Sequence, residues 1–262
     1  MISFVAQFDA LHAIAGFMVG VLVGLTGVGG GSLMTPLLVL FFGVSAQTAV
    51  GTDLLYAATT KMAGSAVHGW RENVDWKIVR RLATGSLPAA ILTLVALSYF
   101  GRVNQSMEAV ILVVLGCMLI LTALAVAMQK KLIAFAVARR PLEAPAAALR
   151  TIVLGAVIGL LVSISSIGAG AIGVTALLML YPRLPVSRIV GTDIAHAVPL
   201  ALVSGFGHWL MGDVNGMLLG NLLVGSIPGV IIGSLVSTRA PDGLLRPALT
   251  AVMFVSGVKL LF

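Results

Sequence analysis

The sequence predicts an all-α polytopic membrane protein built from two inverted repeats, each a glycine-broken re-entrant or hairpin segment followed by three transmembrane helices. Three observations predict it. Of the 262 residues, 59% are hydrophobic and only 10% are charged, too little polar material to cover a soluble globule of this size. The tetrapeptide from Val50 to Asp53, VGTD, returns as Val190 to Asp193, 140 residues later. The basic residues, finally, divide unevenly between the loops once the two glycine-broken segments are allowed to turn back within the membrane.

Apolar runs recur along the whole chain, and a helix needs about 20 residues to cross a hydrocarbon core of about 30 Å. In the first half a glycine-interrupted run over residues 10–42 precedes uninterrupted runs over 46–69, 78–100 and 106–128. In the second half, 150–181 precedes 187–211, 217–237 and 244–262. The same 140-residue offset lays His68 on His208 and GSLPAAI (85–91) on GSIPGVI (225–231). With one gap, Gly27-Val28-Gly29 falls on Gly168-Ala169-Gly170. Matched landmarks at one period mark an internal duplication, with repeats at 1–128 and 150–262 and a linker at 129–149. The opening MISFVAQFDA carries no Lys or Arg and contains Asp9. It lacks the basic start of a cleaved signal peptide, so the first apolar segment is expected to be retained.

Charge decides between parallel and inverted halves, because cytoplasmic loops are enriched in Lys and Arg. If all eight segments cross once, the linker side holds 10 basic residues and the opposite side 5. If the two broken segments instead enter and return on one side, 13 basic residues share the linker side and only Arg102 and Lys259 lie opposite. The second arrangement leaves three net crossings per half. It therefore predicts inverted halves, both termini external and a cytoplasmic linker carrying Lys130, Lys131, Arg139 and Arg140. Inverted repeats are a recurring plan of secondary transporters, with the binding site at the repeat interface near the midplane.

The broken segments explain themselves physically. GLTGVGGGS, residues 24–32, places five glycines in nine positions, and glycine leaves a helix without steric penalty. Unwound backbone at membrane depth is tolerated only where protein or a watery cavity satisfies it. The turn offers backbone N–H groups from Gly29, Gly30, Gly31 and Ser32 at the start of a half-helix, where the dipole favours an anion. SISSIGAGAIG repeats the break around Gly168 and Gly170, with hydroxyl donors from Ser165 and Ser166. Close helix packing through small residues is the simpler alternative.

The run from Gly24 through Trp76, with the Gly-rich motif at Gly27 to Pro36 and AVGTD at Ala49 to Asp53, resembles the first repeat of the TauE/SafE family of sulfite exporters, also called the 4-toluene sulfonate uptake permease family. The resemblance extends over the whole chain. It implies a transporter of the bacterial cytoplasmic (inner) membrane for sulfite, a small organosulfonate or a related sulfur-containing anion, with export as the direction. The second repeat departs from the motif, since no proline matches Pro36, which makes the two half-sites unequal. A distantly similar class that imports thiosulfate uses cysteines along its path, whereas this chain has only Cys117, read as a packing residue.

Ionisable residues inside apolar segments are costly and point to function. Here they are Asp53, Lys61, Asp193 and His196. Asp53 and Asp193, with Thr52 and Thr192, fall about two turns into their segments, beside the expected position of each glycine turn. A carboxyl beside an anion makes sense if it is protonated when the anion binds, because burial favours the neutral acid and a neutral acid donates a hydrogen bond. The alternative is that each Asp accepts bonds from the turn's N–H groups and braces the hairpin, which favours the charged form. Lys61, whose counterpart is Ala201, reads as an anion-attracting charge, with snorkelling as the alternative. His196, one turn from Asp193, is placed to touch it. His68 and His208, next to Trp70 and Trp209, read as interfacial anchors.

No HExxH, GxSxG or Walker loop is present, so no catalytic residues, metal ligands or cofactor are expected. The net charge of +7 is scattered between apolar runs, so it reads as topogenic rather than as a nucleic-acid patch. The partners expected are the anion and the bilayer, and a homodimer is compatible with the sequence. Two competing readings remain: a cation permease using Asp53 and Asp193, and a non-transporting membrane assembly factor.

Overall fold

The computed structural model of the protein describes residues 9–26, 31–67, 74–100, 106–137, 144–236 and 242–262. All regular structure among them is helical: α1 (Ala10–Thr26), α2 (Gly31–Phe42), α3 (Ala46–Val67), α4 (Trp76–Phe100), α5 (Ser106–Val137), α6 (Ala144–Ser165), α7 (Ala171–Leu180), α8 (Val186–Met211), α9 (Gly216–Val236) and α10 (Asp242–Leu261). Five of these, α4, α5, α6, α8 and α9, are long and apolar enough to cross a membrane. Large apolar side chains such as Leu92, Leu210 and Val255 face outward, as a lipid-facing surface requires. The protein is thus a polytopic all-helical membrane protein. Lys130 and Lys131 fall inside α5, so residues 129–137 of the basic linker continue that helix and residues 144–149 already belong to α6.

Helix contacts come in pairs that exchange the two halves. α1 packs chiefly on α9 and α4 on α6, while α3 packs on α8 and α5 on α10. The seams are made of small residues, which let helices approach closely where lipid offers no hydrophobic drive. A Cβ added at Gly16 or Gly20 would overlap the backbone of Leu222 or Ser226, and one at Gly155 or Gly159 would overlap that of Leu82 or Ser86.

The same contacts give directions. α1 and α9 run parallel, since Gly16 meets Leu222 and Gly24 meets Val230; α4 and α6 do so as well. The equivalent helices α3 and α8 run antiparallel: Gly51 near the start of α3 lies against His208 and Asp213 at the end of α8, and Gly205 lies against Leu55. α5 and α10 are likewise antiparallel, with Gly257 against Gly116 and Ile120, and Arg246 bonded to Gln129.

Each glycine-broken segment is a hairpin. The His12 ring at the start of α1 stacks on Phe42 at the end of α2, with ring centroids 4.4 Å apart. Thr151 near the start of α6 bonds the Tyr181 hydroxyl, just past the end of α7, at 2.6 Å. At 1.5 Å per residue the arms are about 25 and 18 Å in the first hairpin and about 33 and 15 Å in the second. In each hairpin a long arm is thus paired with a shorter one that returns toward the same end. Asp9 caps α1 by accepting the Leu11 N–H at 2.9 Å, and that bond holds its exposed carboxyl below the usual carboxylate range.

Candidate functional site

The second hairpin turn is built from backbone conformations that few L-residues adopt. Ser166 sits at φ 60°, Gly168 at 135° and Gly170 at 129°, values that glycine reaches without a Cβ penalty. Gly170 is the N-cap of α7, and no described side chain caps that first turn. The Gly173 N–H is met by the Gly168 carbonyl at 3.0 Å, and the positive end of the helix dipole lies at this buried turn.

Two carboxyls lie against the short arms of the two hairpins. The Asp193 side chain lies against the first turn of α7, so close that a Cβ on Gly173 would overlap its Oδ1. It also faces the Gly170 N–H. Asp53 accepts a hydrogen bond from the Thr35 hydroxyl in the first turn of α2. Both aspartates are fully buried, and in each Oδ1 has no hydrogen-bond partner. An unmatched buried carboxyl oxygen is costly.

The halves meet between these carboxyls. Lys61 on α3 is 8% exposed; its Nζ donates to the Ala169 carbonyl in the second turn at 3.3 Å, and it lies within electrostatic reach of both Asp193 and Asp53. Ser166 of that turn faces Asp53 of the other half without a formed hydrogen bond, and its hydroxyl is buried and unpartnered. Asp53, Lys61, Ser166, Gly168, Gly170 and Asp193 therefore form one buried cluster. It combines donors, a cation and two acids.

The structure sorts the other sequence-derived residues. The Ser165 hydroxyl is taken up within the turn, donating to the Leu161 carbonyl at 2.7 Å. Thr52 and Thr192 serve the joint between halves: Thr52 Oγ1 accepts the Asn215 N–H at 3.2 Å and Thr192 Oγ1 the Asp75 N–H at 2.9 Å. His196 turns away from Asp193 to bond Ser86 at 2.7 Å. Gly31 begins α2 and Ser32 is buried in its first turn. Gly29, Gly30 and His68 lie outside the described residues. His208 is 1% exposed and bonds the Ser163 carbonyl at 2.9 Å; it is a buried strut, not an interfacial anchor.

Four participants lie outside the sequence-derived set of side chains: Thr35, Tyr56, Ser86 and Ser226. Thr35, in the Gly-rich motif, acts through its hydroxyl on Asp53. Tyr56, fully buried beside Ser226, occupies the position equivalent to His196, and Ser226 is equivalent to Ser86. The offset that aligned GSLP with GSIP would have paired all four.

Comparison with known proteins accords with this architecture. The family described as Sulfite exporter TauE/SafE matches residues 12–260. The chain is 41% identical over 250 residues to the "Probable membrane transporter protein YjnA" of Bacillus subtilis (strain 168), covering 94% of this chain and 97% of that protein. It is 29% identical over 252 residues to the "Probable membrane transporter protein YdhB" of the same organism, covering 94% and 97%. It is 28% identical over 216 residues to the "Probable membrane transporter protein MJ0441" of Methanocaldococcus jannaschii, covering 79% and 74%. No solved structure gives a significant match.

Proposed function

The chain belongs to the sulfite exporter TauE/SafE family and is a multi-pass membrane transporter, and on that premise we propose that it moves sulfite or a small organosulfonate across the bacterial cytoplasmic membrane with proton coupling. The observation that carries this reading is the contact from Lys61 to the Ala169 carbonyl. It sets a buried cation of one half beside the helix-start turn of the other, and oxyanions favour both groups.

Charge balance supports the proton. Lys61 with Asp53 and Asp193 ionised sums to one net negative charge, and a bound monoanion would make two in a low-dielectric interior, where unbalanced charge is strongly disfavoured. Each negative charge brought in is best matched by protonating a carboxyl. A neutral Asp then donates to the oxyanion instead of repelling it.

The halves are inverted across the membrane in this reading, with both termini external and the basic linker cytoplasmic. The antiparallel run of α3 against α8 and the two hairpins support it. Export is the direction that the family's description supports. Lys61, a buried cation within electrostatic reach of both aspartates, weighs against the cation-permease alternative.

Flux into liposomes tests the reading, with sulfite, sulfoacetate, thiosulfate or a divalent cation, each with and without a pH gradient. Sulfite or sulfoacetate flux that a pH gradient drives is expected. Cation flux without anion flux would overturn the anion reading, and gradient-independent anion flux would overturn the coupling.

A further inference from the structure

The two ends of the molecule are not alike at equivalent positions. Ala46 and Val50 at the start of α3 correspond to Val186 and Val190 at the start of α8. Ala46 and Val50 are 1% and 0% exposed, whereas Val186 is 54% exposed and Val190 half-buried. A symmetric pair of repeats would give equivalent residues equal surroundings. At the α3 end Glu108 Oε1, on α5, accepts the Ala46 N–H at 3.4 Å and closes the helix start. At the α8 end a cleft runs between α5, α7, α8 and α10, from Gln129 and Arg246 at its mouth to Gly170 and Thr26, the last described residue before the first turn, at its floor.

We propose that this cleft is the open vestibule of the transport site, and that Arg246 with Gln129 forms its first oxyanion subsite; this rests on the anion reading above. Arg246 is the one charged side chain among the described residues lining the cleft. Its Nη1 donates to Gln129 Oε1 at 3.1 Å. That bond orients the planar guanidinium and leaves the Gln129 amide nitrogen as a second donor. A guanidinium fork fits two oxygens of a sulfite or sulfonate group. From there the cleft leads to Gly170 and Ala171 at the α7 helix start, where the positive end of the helix dipole favours an anion. The mouth lies at the linker end, beside Lys130 and Lys131. Seating the start of α8 against its neighbours, as the start of α3 is seated now, would close this cleft.

Two measurements test the proposal. In a Cys117→Ser background, Val190→Cys should react with a membrane-impermeant thiol reagent from the linker side only, methanesulfonate should slow the reaction, and Val50→Cys should stay unreactive. Methanesulfonate is the probe because sulfite itself attacks thiol reagents. Equal labelling of the two positions, or labelling of Val190→Cys from the opposite side, would overturn the vestibule. In flux assays Arg246→Gln should raise KM for sulfite about tenfold, the loss of roughly one charged hydrogen bond, while Vmax stays within about twofold. Gln129→Glu, which would neutralise Arg246 internally, should act in the same direction, and Arg246→Lys should recover part of the loss. Preserved Val190→Cys labelling in the Arg246→Gln protein shows that the variant is folded. An unchanged KM alongside normal wild-type flux overturns the subsite alone, whereas absence of sulfur-oxyanion flux in the wild type overturns the function on which it rests.

Discussion

The backbone N–H of Asp75 donates to Thr192 Oγ1 at 2.9 Å, joining the start of α4 in one half to α8 in the other. The mirror contact, Asn215 N–H to Thr52 Oγ1 at 3.2 Å, lies 140 residues away on both sides. Asp75 and Asn215 are also helix caps, accepting from Ile78 at 3.3 Å and from Leu218 at 3.0 Å. The threonine of each VGTD therefore clamps the helix start of the opposite repeat.

Removing that acceptor should loosen the joint. Thr192→Val keeps the shape but leaves the Asp75 N–H unsatisfied, at a cost of about 1–3 kcal/mol. Thermal unfolding in detergent should show the loss, and Thr192→Ser should restore most of it.

Helix packing gives a sharper contrast between two glycines of one helix. A Cβ on Gly225 would overlap the Ala13 carbonyl, whereas nothing lies within 4 Å of one on Gly216. Gly225→Val should destabilise by about 1–3 kcal/mol or more and reduce folded yield on size exclusion. Gly216→Ala should be neutral in the same assay.

Lys61 is the charge without a counterpart in the other half. Lys61→Met removes the donor to Ala169 and leaves Asp53 and Asp193 without a cation between them. Anion flux should fall at least about tenfold, the scale of one lost charged hydrogen bond. Labelling of Val190→Cys in the same protein should confirm that it is folded.

The aspartates should separate coupling from bracing. Asn mimics the neutral acid, so Asp193→Asn should keep sulfite exchange without a gradient and lose accumulation driven by a pH gradient. Asp53→Asn should do the same while preserving the Thr35 contact. Loss of exchange together with loss of thermal stability would instead mark them as braces only.

Topology has a direct readout. A cysteine replacing Arg102 in the Cys117→Ser background should label from outside intact cells, and one replacing Arg139 should not. The opposite pattern would invert the proposed orientation and move the vestibule mouth to the exterior.

Much of the fold was legible because a duplication writes its period into the chain. The repeated VGTD, the paired GSxP motifs and the two glycine breaks marked the equivalent segments, and all but one of the segment starts fall within two residues of a helix start. The exception is the second broken segment, read from residue 150, whose helix α6 begins six residues earlier at Ala144. The distribution of basic residues favoured hairpins over single crossings, and His12 on Phe42 shows the first hairpin closed. The length of α5 was less legible: the basic residues of QKK suggested a linker, yet a helix continues through them because Lys and Gln are good helix formers.

By itself the sequence determined the helical class, the duplication, the hairpins and the identity of the buried acids, because hydropathy, period and glycine content are properties of position along the chain. Only the tertiary structure decided which polar groups meet. Lys61 and Ala169 are 108 residues apart, Ser86 and His196 are 110 apart, and no local pattern encodes such contacts. It also divided like from like: Ser165 spends its hydroxyl within the turn while Ser166, forced to φ 60° one residue later, turns its own toward Asp53. The unequal burial of Ala46 and Val186 is likewise a property of packing, because two similar helix starts can sit against different neighbours.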